Sequence, residues 1–261
     1  MMRLIISPPL DGATNMALDH ALAQSVGADD SPPTLRLYRW DAACLSLGYF
    51  QPIREVNQAA CARTGVGIVR RPTGGRAILH DDELTYSLTA SAQDERLGGK
   101  ILASYRVISA ALLVGLQHLG VAADWAGADV GGAKSAACFD TPGDYEITVA
   151  GRKLIGSAQT RTSGAILQHG TLLLSADAAR LHELLDLPNL SVADLATRMI
   201  ALDEAAVRRI EFAEAASALI AGFEQAWKMQ FIASEPTAAE WQRTAELRAS
   251  RYANADWTQR R

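Results

Sequence analysis

Apolar residues recur at helical spacing in some stretches of the chain and alternate with polar ones in others. In NMALDHALAQSV (15–26), Met16, Ala17, His20, Ala21 and Val26 share one face of a predicted helix, with Thr14 as its cap. The strongest helical signal is ILASYRVISAALLVGLQHLG (101–120), which ends on Gly120, where a left-handed cap favours glycine. TLRLYRW (34–40) alternates as a half-buried strand does, and CLSLGYF (44–50) is a second strand. ADDSPP (28–33) is a loop. GVGIVRR and RAILH flank PTGG, which predicts two strands around a glycine loop. The small-residue segment 125–144 reads as a long loop. Residues 145–175 read as three strands, turning at Ala150-Gly151 and at Thr162-Ser163-Gly164. The last third is rich in Ala, Glu and Arg and mostly helical, with Thr237 and Glu240 forming a T-x-x-E capping box. Strands in the first two thirds, with helices inserted and appended, make an α+β or mixed α/β pattern. The expected class is α+β, with mixed β-sheets packed with helices. No linker marks a second domain, so 1–261 is read as one.

Composition narrows the classes. With 261 residues, 49% hydrophobic and 21% charged, the chain can bury an ordinary core without disulfide or metal staples. A net charge of −4 argues against a general nucleic-acid or anionic-membrane binder, although a local basic patch is compatible with it. The apolar run in MMRLIISPPLDG is too short for a signal-peptide core, and no other run reaches membrane-spanning length. The expected location is the cytoplasm. Cys44, Cys61 and Cys138 are odd in number and widely spaced, with no C-x-x-C, so neither a disulfide framework nor a zinc site is indicated.

Four places carry candidate chemistry. In RRPTGGRAILHDDELTYSL (70–88), Arg70, Arg71 and Arg76 bracket Thr73, Gly74 and Gly75. Glycines allow close backbone approach, and arginines match carboxylate or phosphate oxygens; together they fit an anion or acyl-carrier pocket. The plainer alternative is a tight turn with solvated arginines. His80 and Asp81 beside it could orient one another. Lys153 is the second candidate. Period-two alternation places it with Ile155, Ser157 and Gln159 on one strand face, and Leu154, Gly156 and Ala158 on the other. Gly156, Ser157 and Ala158 leave room for a ligand against the strand; the alternative is an exposed strand lysine. The third is Cys138 in SAACFDTPGDYE. A reactive cysteine needs a stabilised thiolate and access, and Lys153 lies one strand and turn away; a buried loop cysteine is the alternative. Cys44 and Cys61, in apolar or alanine-rich runs, read as structural. Fourth, His169 either lines the same cleft or satisfies a backbone partner.

Taken in order, PTLRLYRWDAACLSLGYFQ, RRPTGGRAILHDDELTYSL, CFDTPGDYEITVAGRKLIGSAQTR and LQHGTLLL resemble the domain shared by biotin and lipoate protein ligases and octanoyltransferases. The likeness runs from about Asp11 to Leu174, and ELRASRYANADWTQRR resembles the family's closing Tyr and Trp segment. Lipoate–protein ligases act through lipoyl-AMP, and their loop usually continues His-Asp-x-Gly-Asn; here the text is HDDELTYS. Octanoyltransferases of the LipM type resemble this chain in HD-x-ELTYS and in an A-C-F-x-x-P loop. Gly143-Asp144 stands where that type is expected to have Ser. A lipoyl-relay amidotransferase also uses a cysteine, so the cysteine alone leaves the substrate open.

The resemblance implies a biotin/lipoate ligase-like fold and transfer of octanoyl from octanoyl-acyl carrier protein, through a Cys138 thioester, to the lysine of a lipoyl domain such as glycine cleavage H protein. Lys153 would assist catalysis. Arg70, Arg71, Thr73, Gly74, Gly75, Arg76, His80, Gly156, Ser157, Ala158 and His169 would bind substrate. No cofactor and no metal are expected; ATP and Mg would be needed only by an ATP-dependent lipoate–protein ligase, the alternative. A carrier-binding module without catalysis is a third reading. Arg70, Arg71 and Arg76 are expected to form a local basic patch that docks acidic partners with salt dependence.

Overall fold

The computed structural model describes residues 1–126, 137 and 146–260. Its strands are β1 (Met2–Ile6), β2 (Thr34–Tyr38), β3 (Cys44–Leu47), β4 (Gly67–Arg70), β5 (Ile78–His80), β6 (Glu83–Ser91), β7 (Asp124–Trp125), β8 (Ile147–Val149), β9 (Arg152–Thr162), β10 (Ala165–Leu173) and β11 (Phe231–Ala233). Its helices are α1 (Gly12–Gly27), α2 (Gln58–Thr64), α3 (Ile101–His118), α4 (Ala178–Leu184), α5 (Val192–Arg198), α6 (Leu202–Ala206), α7 (Phe212–Trp227), α8 (Ala238–Leu247) and α9 (Ala255–Gln259). Among the described residues, one eight-stranded mixed sheet runs β11-β1-β2-β6-β10-β9-β8-β7, and a three-stranded sheet runs β4-β3-β5. Mixed sheets packed with helices are the α+β architecture expected.

The antiparallel centre follows from alternation plus turn chemistry. β10 pairs β6 in unbroken register from Ala165↔Ser91 to Leu173↔Glu83. The β9–β10 turn places Ser163 (φ 50) and Gly164 (φ 75) in the left-handed region, and the β8–β9 turn does the same with Ala150 (φ 50) and Gly151 (φ 77). Two such residues match the twist of the flanking strands.

The two faces of the large sheet differ. One carries Leu84, Tyr86, Leu88, Ile155, Ile166 and Leu172 into the largest apolar cluster, under α3 and α7. These helices cross with almost no gap, since a Cβ on Gly222 would lie 2.3 Å from the Gly115 nitrogen. The other face carries Glu83, Thr85, Ser87, Thr89, His169 and Thr171, polar yet all buried, because α1 packs over β6 and β10.

That covering changes two expectations. The strand at 34–40 is not half-buried; every residue of β2 is buried. Nor does α1 have one buried face: Asn15–Ala23, Ser25 and Val26 are all buried, between the sheet and α8. Its cap is Asp11 rather than Thr14, the carboxylate accepting from the Thr14 amide (2.9 Å).

The strands flanking PTGG do not pair with each other: β3 lies between them, parallel to β4 and antiparallel to β5. Other expectations hold. Gly120 (φ 75) follows α3, with amide bonds Gly120→Gln117 and Val121→Leu116 (both 3.0 Å) closing the helix end. Thr237 and Glu240 form the reciprocal capping box of α8. α3 is long and apolar enough to cross a membrane by length and composition, which the reading of apolar runs missed. Its buried residues Ile108, Ala111, Leu112 and Leu116 instead join the main core.

Candidate active site

The glycine loop is held from inside by its own arginines. Arg70, 0% exposed, donates from Nη1 to the carbonyls of Gly48 (2.8 Å) and Gln51 (2.6 Å), and from Nη2 to that of Thr258 (2.8 Å). Arg71 donates to the carbonyls of Ser46 (2.9 Å), Gly74 (2.8 Å) and Arg76 (2.7 Å). Buried carbonyls need such donors in place of water. Gly75 takes φ +90, and a Cβ on Gly48 would fall 2.0 Å from the Gly75 oxygen, so the two backbones touch. Arg76 is neutralised by Glu55 (3.0 Å). The expected solvated patch of Arg70, Arg71 and Arg76 is therefore not formed: two of the three are structural supports of the loop, and the third is paired.

Thr73, in the same loop, meets His169 of β10, Oγ1 to Nε2 at 2.6 Å. His169 Nδ1 faces Asp19 Oδ2 of α1 at 3.3 Å. Asp19 also accepts from Arg36 (2.7 Å) and from the Tyr38 hydroxyl (2.9 Å), and the Asp19–Arg36 pair has no exposed side-chain surface. Burial alone would raise the Asp19 carboxyl, but the Arg36 charge and the His169 bond bring it below the usual value. Burial lowers His169, against the pull of Asp19. A neutral imidazole beside a carboxylate carries its proton on Nδ1, so Nε2 accepts from the Thr73 hydroxyl.

A second histidine lies on the same side of the sheet. His80 contacts Glu83 through Nδ1 and Ser46 through Nε2, both at 2.7 Å, and stacks on Trp40 at 3.9 Å and 11°. It is not oriented by Asp81, which turns outward to Arg180. Glu83 Oε2 and Ser87 Oγ are buried without a hydrogen-bond partner among the described residues. Each such atom costs about 1–3 kcal/mol, and both lie on the polar face that carries His169.

Lys153 is buried, 1% exposed, and pairs with Glu146 at 2.6 Å. Simple alternation fails at this point. Ile147 pairs with Ile155 but its neighbour Thr148 pairs with Lys153, so Leu154 is a β-bulge residue. The extra residue resets the phase. Leu154 and Ile155 both enter the α3–α7 core, while Lys153 falls with Gly156 and Ala158 on the opposite face. Those two pair with Thr171 and His169, which makes one continuous side of Lys153, Gly156, Ala158, Thr171 and His169. Ser157, expected to line the slot, is on the α3 side instead, where its Oγ meets the Tyr86 hydroxyl at 2.7 Å.

Cys138 lies outside the described residues. Ala137 immediately before it is buried among the apolar residues of the small sheet and bridges in parallel to Ala77, directly after the glycine loop. On the other side, Glu146 holds Lys153, and its carbonyl accepts from the Ala126 amide (2.8 Å). Cys44 and Cys61 are buried free thiols; burial pushes Cys44 up to about 12 and raises Cys61.

The structure thus brings Thr73, the Gly74–Gly75 turn, His80 and His169 onto one side of the sheet, with Gly156, Ala158 and Lys153. Asp19, Arg36, Trp40, Ser46, Glu83 and Glu146 complete the constellation and were missed from sequence. One signal was present: Asp19-His20 is a polar pair in the middle of a helix, between the apolar stretches Met16–Leu18 and Ala21–Ala23. Among the described residues no group of His, Cys, Asp or Glu is placed to hold a metal ion.

The sequence and the fold have known counterparts. A family model described as the lipoyl protein ligase A/B catalytic domain matches residues 11–224. Octanoyltransferase LipM of Carboxydothermus hydrogenoformans is 40% identical over 98% of this chain and 97% of its own length. Octanoyltransferase LipM of Bacillus subtilis is 38% identical over 99% of this chain and 98% of its own. Among solved structures, lipoate-protein ligase A bound with ATP superposes with a TM-score of 0.83 at 25% identity, covering 98% of both chains. The fold is common to both chemistries, whereas the higher end-to-end identity lies with the octanoyltransferases. The chain therefore belongs to the lipoyl protein ligase A/B catalytic-domain family and, within it, to the LipM octanoyltransferases.

Proposed function

We propose that the protein moves an octanoyl group from octanoyl-acyl carrier protein, through a thioester on Cys138, to the lysine of a lipoyl domain such as glycine cleavage H protein, in lipoate biosynthesis. The observation that carries this reading is the 40% identity to a LipM octanoyltransferase over 98% of the chain. The ATP-dependent ligase reading is not favoured, because likeness to the solved ATP-bound ligase is 25% and the His-Asp-x-Gly-Asn continuation is absent from HDDELTYS.

The Cys138 thiolate attacks the thioester carbonyl, and the carrier thiolate leaves and takes up a proton. The acceptor's neutral amine then attacks octanoyl-Cys138; the Cys138 thiolate leaves and the amine loses a proton, giving the amide. A thioester is already activated, so no ATP enters. Cys138 is favoured over the other thiols because burial disfavours the thiolates of Cys44 and Cys61. Lys153, fixed by Glu146, would stabilise the thiolate and the oxyanion of each tetrahedral intermediate. Thr73, Gly74 and Gly75 would wall the acyl slot, with Gly156 and Ala158 forming its floor and His80 and His169 positioning its polar end. Arg70 and Arg71 would hold that wall in shape, and Arg76 with Glu55 its outer edge.

The test is a complete reaction without nucleotide. Octanoyl-carrier protein plus a lipoyl-domain acceptor should give octanoylated acceptor at a rate unaffected by ATP. Product formed only from free octanoate or lipoate with ATP would replace this reading with the ligase.

A further inference from the structure

The segment 251–260 holds two cations, Arg251 and Arg260, that have no counter-ion among the described residues, beside the glycine loop. Trp257 donates from Nε1 to the Arg70 carbonyl (2.8 Å), and Arg70 donates in return to the Thr258 carbonyl. The segment is thereby tied to the residue that begins the loop. Arg251 lies 3.5 Å from the centre of the Trp257 ring system and Arg260 lies 3.8 Å from it. Two guanidinium planes that close cannot share one face, so they sandwich the indole. Arg260 also sits 3.8 Å over Tyr49 and donates to its carbonyl (2.9 Å). Tyr49 follows Gly48, whose backbone touches Gly75.

Neither arginine has a carboxylate partner among the described residues, and the Nε of each is buried without a hydrogen-bond acceptor. Burial, with the charge of Arg260 adding to it, draws Arg251 below the usual arginine range. Stacking on aromatic faces fixes a guanidinium edge-outward and leaves its N–H fork for an anion. Phosphate oxygens match that fork. Phe50 beside Tyr49 is 66% exposed, so the stack opens to solvent at the rim of the loop.

We infer that Arg251 and Arg260, clamped on Trp257, bind the phosphate of the phosphopantetheine arm on which the carrier presents its thioester. The inference rests on the thioester reaction proposed above and deepens it. The stack adjoins the glycine loop through Arg70, Tyr49 and Gly48, and the phosphate of the arm is the anion that a carrier-bound donor would bring to that rim. The expected basic patch is thus replaced by a different one, built by the C-terminal segment rather than by Arg70, Arg71 and Arg76.

The experiment compares octanoyl-phosphopantetheine with octanoyl-pantetheine as donors for the full chain. The wild-type protein should prefer the phosphorylated donor by about tenfold or more in kcat/KM, the order of one charge-assisted contact. Arg260→Gln and Arg251→Gln should each bring that ratio towards one by raising KM for the phosphorylated donor. A wild-type protein that uses both donors equally, or variants that keep the preference, would overturn the inference while leaving the transferase reading intact. Use of neither donor by protein that does turn over octanoyl-carrier protein would overturn the inference alone, and failure with octanoyl-carrier protein as well would overturn both. Should Arg251→Gln fail to fold, Arg260→Gln decides, since Arg260 is half-buried and lies outside the helices and strands.

Discussion

Lys153 and Glu146 form a buried pair whose stability and proposed chemical role can be tested separately. Their 2.6 Å contact is almost fully removed from water, and removing one member of such a pair costs about 3–5 kcal/mol because the other charge is left buried. Lys153→Met should therefore lower stability by that order and slow transfer by about a hundredfold or more, as loss of an oxyanion stabiliser does. Adding Glu146→Gln should restore part of the melting temperature without restoring turnover; recovery of both would reduce Lys153 to a structural role. The thiols give a second prediction. With Cys44 pushed up to about 12 and Cys61 raised, iodoacetamide at pH 8 should label the native protein at Cys138 alone. Peptide mapping that finds Cys44 modified at a comparable rate would contradict the assignment. At this scale, with Cys138 outside the described residues, Lys153, Thr73 and His169, which the structure brings to one side of the sheet, were singled out because their neighbours resemble a family in a fixed order. Asp19 and Arg36 were not, since a helix aspartate and a strand arginine 17 residues apart reveal a shared site only when α1 folds over β2.

Among elements, the α3–α7 crossing and the bulge in β9 position the site from behind. Gly222 leaves no space for a methyl group against Gly115, so Gly222→Ala should cost about 1–3 kcal/mol by overpacking, read as a lower urea midpoint. An unchanged midpoint would show that the helices can separate cheaply. Helix ends and hairpins were readable locally: Gly120 behind α3, the Thr237–Glu240 box, and the turns at 150–151 and 163–164 each depend on a few adjacent residues. The bulge was not, because alternation counts residues and an extra one at Leu154 inverts every later assignment towards the chain start. That single residue moved Lys153 to the side of Gly156 and Ala158, away from Ile155 and Ser157, which stay together under α3. The pairing of β4 and β5 with β3, rather than with each other, depends equally on long-range order.

Over the whole molecule, buried histidines make the fold sensitive to acid. Burial, with some help from the Arg251 charge, lowers His20 to about 4, and burial also lowers His169. Both have folded values below the ordinary 6.5, so the unfolded chain binds protons first as pH falls. Their contribution is complete above about pH 6.5 and is lost as pH drops towards 4, with His20 alone accounting for about 3 kcal/mol. Urea unfolding should show a clear loss between pH 7 and pH 4.5 that His20→Gln reduces; a flat profile would contradict the burial argument. Buried carboxylates such as Asp19 and Glu240, held low by Arg36 and Arg3 against their burial, add their loss only at still lower pH. The central claim is the acyl-enzyme. Incubating the purified protein with octanoyl-carrier protein and no ATP, then measuring intact mass, should reveal one octanoyl adduct that hydroxylamine removes and that Cys138→Ser lacks. An adduct that persists in Cys138→Ser, or transfer by that variant at the wild-type rate, would contradict the account.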